Sequence, residues 1–360
     1  MRKANIASVK PGDKLARPVF GENGNVLLGA GVELNERFIA RLRALGIDML
    51  YLDDPATENI EPTSPVRDET RQKATEAVYQ TMTKLMDQPS TRGRTIIPEM
   101  GRTFRSIFGE LIQDLITREN VLVNLTSIQV MDAYLFQHSV NVAILAGIMG
   151  LAKGYNKQQL EELGIGALLF DIGMTRLPKG LLDKAGPLTA DERIIMEKHT
   201  EEGFNILRAQ HDISLLSAHC AFQHHERYDG SGYPRKIKAD AMHEYAQIVA
   251  LADVYDALTS PRPHRRRYTP TEAIEYLFAA GNTYFDLDLI KTFCRHISIY
   301  PVSTTVQLSS GQIGVVASND PLALHRPVIR ILREADGSKP AQPYEIDLKD
   351  SNILLIVKEL

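Results

Sequence analysis

Residues 224–234 read His224-His225-Glu226-Arg227-Tyr228-Asp229-Gly230-Ser231-Gly232-Tyr233-Pro234. Adjacent imidazoles offer two nitrogen ligands, and the Asp, Gly, Ser, Gly and Pro beyond them are the residues of a tight turn that admits close ligand approach. The stretch points to a metal-centred site with a loop beside it. Working outward, donors of the same kind recur: His138 in HSVNVA, Asp171 in GALLFDIG, His199 in MEKHTEEG and Asp253 in ADVYDALTS. Singly, each has an ordinary explanation, because a lone helical histidine is usually a surface or satisfied core residue and an aspartate caps or pairs. Together they supply what a di-metal phosphodiesterase needs: imidazoles and carboxylates converging from several helices, one carboxylate bridging the ions, and a water between them.

In kind and order these strings resemble the HD-GYP domains, metal-dependent phosphodiesterases of bacterial cyclic-dinucleotide signalling, over roughly Asp132 to Arg267. HHERYDGSGYP is the most specific of them. The resemblance implies a mainly α protein, with an all-helical HD-type core, a small N-terminal α/β unit and a small C-terminal β domain. It implies that Asp171 is the catalytic carboxylate and bridges two ions, with His199, His224 and His225 serving one ion and His138 and Asp253 the other. One or two transition-metal ions are expected, with iron, manganese and zinc all suited to imidazole and carboxylate ligands. Gly230, Gly232, Tyr233 and Pro234 should line the substrate cavity, Tyr233 stacking or hydrogen-bonding. Arg262 and Arg265, in SPRPHRRR, are candidates for gripping phosphate oxygens in pairs, whereas Arg266 and Arg267 read as solvated.

Two positions depart from the family. Phe170 stands where members carry the His of the His-Asp motif, and Met174 where they carry Lys. Phenylalanine has no lone pair, so the ion assigned to His138 and Asp253 loses a ligand and gains a bulky apolar neighbour, while the other ion keeps its set. Methionine packs but brings no charge to a phosphate. Position 134, one helical turn before His138, is Tyr where some members have a Glu that helps bind a third metal, so a trinuclear site is not expected. Cys220, one turn before His224, reads as a buried structural thiol. His211, His219, His243, His264, His296 and His325 match no ligand position.

Composition bounds the rest. The 360 residues are 44% hydrophobic and 24% charged, enough for one substantial core with satellite domains and against disorder. A formal net charge of -4 gives no overall basic surface, so long nucleic acids and anionic membranes are poor partners, while a small anionic ligand needs only a local patch. Cys220 and Cys294 are too few and too far apart for a disulfide framework, and the opening MRKANIASVKPG lacks a signal-peptide core, which together imply the cytoplasm. No apolar run is read as approaching the ~18 residues of a membrane span.

Residues 1–55 read as a small α/β domain, with extended runs Lys14–Phe20 and Val26–Leu28 around a Gly21-Glu22-Asn23-Gly24 turn and a helix over Val32–Leu45. Residues 56–70, inside a Pro-, Thr- and acid-rich stretch, read as a linker that buries too little to order itself. Residues 71–125 carry two amphipathic helices, one presenting Ala74, Val78, Met82 and Leu85, the other Phe104, Ile107, Phe108, Leu111, Ile112 and Leu115. Their stripes should pack on the following domain or on a second copy, which makes a homodimer a hypothesis. The metal domain spans 126–296, and within it Thr189-Ala190-Asp191-Glu192 is a capping box opening a helix that carries His199. Residues 297–360, with runs Thr304–Leu308, Ile313–Val316, Val328–Leu332, Tyr344–Leu348 and Ile353–Val357, read as a β barrel or sandwich with nothing catalytic.

Two functions compete. One is a hydrolase opening cyclic di-GMP to linear pGpG and onward to GMP, weakened by Phe170. The other is a degenerate member that binds a cyclic dinucleotide, or a partner protein, and relays occupancy to its flanking domains. A nuclease for other phosphate esters is a third reading that the Tyr233 loop disfavours.

Overall fold

The computed structural model describes residues 1–21, 25–62, 64–87, 96–117, 134–182, 184, 186–260, 267–320, 323–351 and 353–360, with the backbone alone at Tyr134. The N-terminal unit runs β1 (Arg2–Asn5), β2 (Val19–Phe20), β3 (Val26–Leu28), α1 (Glu36–Ala44) and β4 (Met49–Leu52). β1 pairs with β4 and β2 with β3, both antiparallel. Asn35 starts α1 by accepting the Phe38 N–H, and Ile39 and Leu42 turn inward onto the core with Leu15, Leu50 and Leu52. The expected strand over Lys14–Phe20 shrinks to two residues, because Lys14 and Leu15 make only isolated bridges to Glu33 and Leu52. Most of the expected turn, 22–24, lies outside the described residues.

The stretch expected as an unordered linker is instead pinned. The N-terminal ammonium donates to the carbonyls of Thr57 (2.9 Å) and Ile60 (2.8 Å), Ile60 is buried, and Val66 enters the helical core. An average over composition misses two apolar anchors.

The helical region comprises α2 (Asp68–Met86), α3 (Met100–Thr117), α4 (Tyr134–Ala152), α5 (Lys157–Leu168), a 3-10 turn (Ile172–Arg176), α6 (Lys179–Leu182), α7 (Ala190–Glu197), α8 (His199–Arg208), α9 (Leu215–Gln223), α10 (Glu244–Thr259), α11 (Pro270–Ala279) and α12 (Leu287–Cys294). α4 is its axis, with Val140, Val142, Ala143, Ile144, Leu145 and Ala146 all buried, and α2, α3, α5 and α10 packed around it. One expectation fails here. Leu135–Ala152 is an 18-residue window of mean hydropathy 1.5, long and apolar enough to cross a membrane by length and composition, and 78% of it is buried within the protein. A helix apolar on all sides serves equally as the centre of a bundle. The stripes of α2 and α3 enter the same core, so the apolar faces that suggested a second copy are covered within the chain.

The capping box is present, with Thr189 accepting from the Glu192 N–H and the Glu192 carboxylate accepting from the Thr189 N–H. The helix it opens does not carry His199, however. α7 stops at Glu197 and α8 starts at His199, because the His199 imidazole and the Thr200 hydroxyl take the carbonyls of Met196 and Glu197.

The C-terminal unit is one antiparallel sheet of β5 (Thr305–Leu308), β6 (Ile313–Ser318), β7 (Val328–Arg333), β8 (Tyr344–Asp347) and β9 (Ile356–Glu359) in the order β8-β7-β6-β5-β9. It is neither a closed barrel nor a sandwich among the described residues, since β8 and β9 are its two edges. The last strand lies later than expected. Ile353 is 85% exposed, while Ile356 pairs opposite Leu308 and Glu359 opposite Val306. β1 adjoins this sheet: the Lys3 N–H donates to Ser303 O at 2.8 Å and the Thr305 hydroxyl to Lys3 O at 3.1 Å.

Candidate metal centre

Asp171 follows α5 at the head of the 3-10 turn. Gly173 lets that turn press against α8, since a Cβ there would stand 1.9 Å from His199 O and 2.5 Å from Gly203 N. That close approach brings Asp171 beside His199. His224 ends α9, which packs against α8.

Three atoms converge from these elements. His199 Nε2 and His224 Nε2 are 3.3 Å apart, and Asp171 Oδ1 lies 3.5 Å from the first and 3.6 Å from the second. Each imidazole spends its Nδ1–H on a backbone carbonyl: His199 on Met196 at 2.7 Å, His224 on Cys220 and Ala221 at 3.1 and 3.0 Å. Both Nε2 atoms therefore present lone pairs, and Asp171 Oδ1 is buried without a hydrogen-bond partner. Three acceptors facing one another in a buried space repel unless a cation joins them. Two ligands each about 2.1 Å from an ion at the tetrahedral angle lie about 3.4 Å apart, close to all three separations. The residues fit a transition ion on the chemistry of the donors.

His225 extends the group: one ring nitrogen from each of His199, His224 and His225 lies within 4.8 Å of the others. Burial first, and then the neighbouring imidazoles, drops the His225 imidazole well below its ordinary pKa, and burial likewise lowers His199, so both keep lone pairs available at neutral pH. Burial pushes the Asp171 carboxyl up, but His224, His199 and His138 together outweigh it and hold the group below its usual range.

The loop after the doublet is anchored by Glu226, whose carboxylate accepts from Arg235 N (2.8 Å) and Ile237 N (3.1 Å). Tyr233 stacks on His225 with ring centroids 4.7 Å apart, and its phenol is pushed up by burial and then by Asp171 and Asp253, so it remains a donor. Pro234 follows it through a cis peptide. Both glycines serve the loop itself: Gly230 has φ +83, and a Cβ on Gly232 would meet His225 O at 2.4 Å and Arg227 N at 2.5 Å. The close approach of Gly232 is to the chain's own backbone, and that of Gly230 is to the Lys238 side chain and Lys236 O.

The other half is assembled differently. His138 Nε2 lies 2.9 Å from Asp253 Oδ1, and His138 Nδ1 lies 2.7 Å from Asp256 Oδ2. Phe170, fully buried, stands edge-on between His138 (centroids 5.5 Å) and His224 (4.9 Å), and Met174 packs against the apolar core. Cys220 is buried, its thiol pushed far up by desolvation, and its sulfur lies 3.8 Å from Leu216 O. Arg262, Arg265 and the Tyr134 side chain lie outside the described residues.

Sequence reasoning missed Asp256, Asn141, Arg71, Gly173 and the anchoring role of Glu226. Asp256 carried a usable signal, since it sits three residues after Asp253 on the same helical face. Arg71 carried none, being on a separate helix.

A helical bundle enclosing converging imidazoles and carboxylates is the architecture of an HD domain, and residues 111–289 match the family described as HD domain, while residues 305–360 match the KOW domain associated with HD domain. The chain belongs to the HD-domain family in its HD-GYP form, with Phe170 in place of the first residue of the His-Asp motif. Among curated relatives it is 31% identical over 239 residues to the cyclic di-GMP phosphodiesterase PA4108 of Pseudomonas aeruginosa, covering 66% of this chain and 58% of that protein. It is 38% identical over 152 residues to the cyclic di-GMP phosphodiesterase response regulator RpfG of Xanthomonas campestris pv. campestris, covering 42% of this chain and 40% of the relative. The chain thus spans 58% and 40% of the lengths of these two. A solved structure described as Bd1817, a HDG"Y"P protein from Bdellovibrio bacteriovorus, is similar at 15% identity and a TM-score of 0.48, covering 81% of this chain and 97% of that one.

Proposed function

We propose that the chain is a cytoplasmic, metal-dependent phosphodiesterase that opens cyclic di-GMP to pGpG and onward to GMP, with turnover slowed by Phe170. The observation that carries this reading is the trio of proton-free donors, Asp171 Oδ1, His199 Nε2 and His224 Nε2, around one buried point. Those residues, with His225, would hold one ion, and His138 and Asp253 a second if one binds. Iron, manganese or zinc in that place supplies a Lewis acid for a phosphate oxygen and makes a water acidic enough to act as nucleophile. Asp171, held ionised, would orient that water. Tyr233, stacked on His225, gives a nucleobase a flat wall and a phosphate a hydroxyl donor. Arg262 and Arg265 would grip the phosphates, and Met174 leaves that side without a cation. Two free thiols suit a reducing compartment. The relatives named above carry the same activity in their names.

One observation favours the receptor reading instead: the ring of Phe170 fills the space between His138 and His224 where a second ion's ligand would reach. Elemental analysis together with turnover of cyclic di-GMP under iron or manganese separates the two. About one ion per chain with slow conversion supports the hydrolase. Binding of the dinucleotide without conversion supports the receptor, and a metal-free chain that ignores the dinucleotide sinks both.

A further inference from the structure

A line of hydrogen bonds runs from α2, outside the ligand-bearing helices, into the half of the centre built on His138. The Arg71 guanidinium donates to Asn141 Oδ1. With its oxygen turned toward Arg71, the Asn141 amide faces Asp256 with its nitrogen, and Nδ2 donates to Asp256 Oδ1 at 2.9 Å. Asp256 Oδ2 then takes His138 Nδ1 at 2.7 Å and the Ser260 hydroxyl at 3.3 Å. Asp256 is thus the acceptor on which the line ends, taking Asn141 Nδ2–H from one side and His138 Nδ1–H from the other, and this leaves His138 Nε2 aimed at Asp253. Asn141 is fully buried and Asp256 nearly so, which makes the amide's orientation consequential: turned over, it would set an oxygen against the carboxylate.

The root of the line is fixed as well. Arg67, just before the first residue of α2, gives its backbone N–H (3.0 Å) and its Nε (2.8 Å) to the buried carboxylate of Asp114 on α3. α3 therefore holds the first turn of α2 in place, and Arg71 stands one turn further on.

We propose that Arg71 is a positioning residue: by fixing the amide of Asn141 it makes Asp256 hold His138 as the tautomer protonated on Nδ1, with Nε2 directed at Asp253. The control reaches a ligand-bearing imidazole from a helix that contributes no ligand. It rests on placing His138 in the metal centre, and its test needs neither bound metal nor turnover.

The test is the long-range proton–nitrogen spectrum of the histidine rings in the full chain, with zinc present and the His138 signals assigned by their loss in His138→Gln. In the native chain the proton on His138 Nδ1 gives a slowly exchanging, downfield signal. In Arg71→Met that signal is lost while the corresponding signal of His199 remains, and Arg71→Lys retains it. Asn141→Ser, which removes the donor to Asp256, gives the same loss and serves should Arg71→Met not fold. An unchanged His138 signal in folded Arg71→Met, or in folded Asn141→Ser, overturns the proposal. A merely structural Arg71 would lower the melting temperature and leave the His138 signal where it was. A chain that binds no zinc would still report on Arg71, and a silent Arg71 would leave the metal reading intact.

Discussion

The two halves of the centre use the same residue types and are finished in opposite ways. Around Asp171, both imidazoles donate Nδ1–H to backbone carbonyls, and three lone-pair atoms converge. Around His138, both ring nitrogens already lie within hydrogen-bond reach of carboxylates, and Phe170 walls off one side. A count of histidines and aspartates rates the halves alike. What separates them is what stands around the Nε2 atoms: in one half two imidazoles converge on a carboxylate oxygen without a hydrogen-bond partner, and in the other a single imidazole is held between two carboxylates with Phe170 beside it.

The comparison breaks most severely at Asp171. Asp171→Asn removes the charge that offsets a cation, and metal affinity measured by competition with a chelator is expected to fall on the order of 100-fold or more. A smaller but more telling change is Phe170→His, which returns a lone pair to the His138 half. We expect a second ion in elemental analysis and turnover of cyclic di-GMP faster by roughly 100-fold, about 2.7 kcal/mol of barrier. Retention of a single ion with unchanged rate would mean that the His138 half is closed for reasons other than Phe170. Gly232→Ala drives a methyl into backbone of 225–227 that cannot yield, so a cost of about 2 kcal/mol in chemical denaturation and about tenfold weaker metal binding through His225 are expected.

The smallest effect lies far from the centre and serves as its control. Burial, then Arg267, brings the Lys3 ammonium from 10.5 down to about 7. Between about 7 and 10.5 the unfolded chain holds a proton on Lys3 that the folded chain has released, so this residue makes stability rise with pH across that window. Lys3→Met should flatten the rise in melting temperature from pH 7.5 to 9.5 and leave metal content unchanged. A shift in metal content would tie the terminal units to the centre.

Much of this was legible in the sequence, for identifiable reasons. The doublet, the capping box at Thr189 and the stripes of α2 and α3 are local patterns, and their physics acts within one or two helical turns. The chain therefore announces helices and donors. The direction of an amide is a different kind of fact: the Asn141 orientation depends on Arg71, 70 residues earlier, and no local pattern encodes it. Gly232 carries a similar lesson, since a glycine placed for ligand approach and one placed for chain crossing are the same letter. The last strand was misplaced because Ile353, Leu355 and Val357 alternate as a strand should, yet the sheet faces Lys3 with Glu359.

The joint between β1 and the C-terminal sheet joins residues 302 positions apart in the chain, and around it Lys3, Glu359, Arg267 and Asp48 come together from three separate units. A contact of that sequence separation carries a large loop-closure cost unless the units between are already folded, which favours its closing late. Built on hydrogen bonds and titratable groups, it is also a seam that should open locally before the helical bundle does.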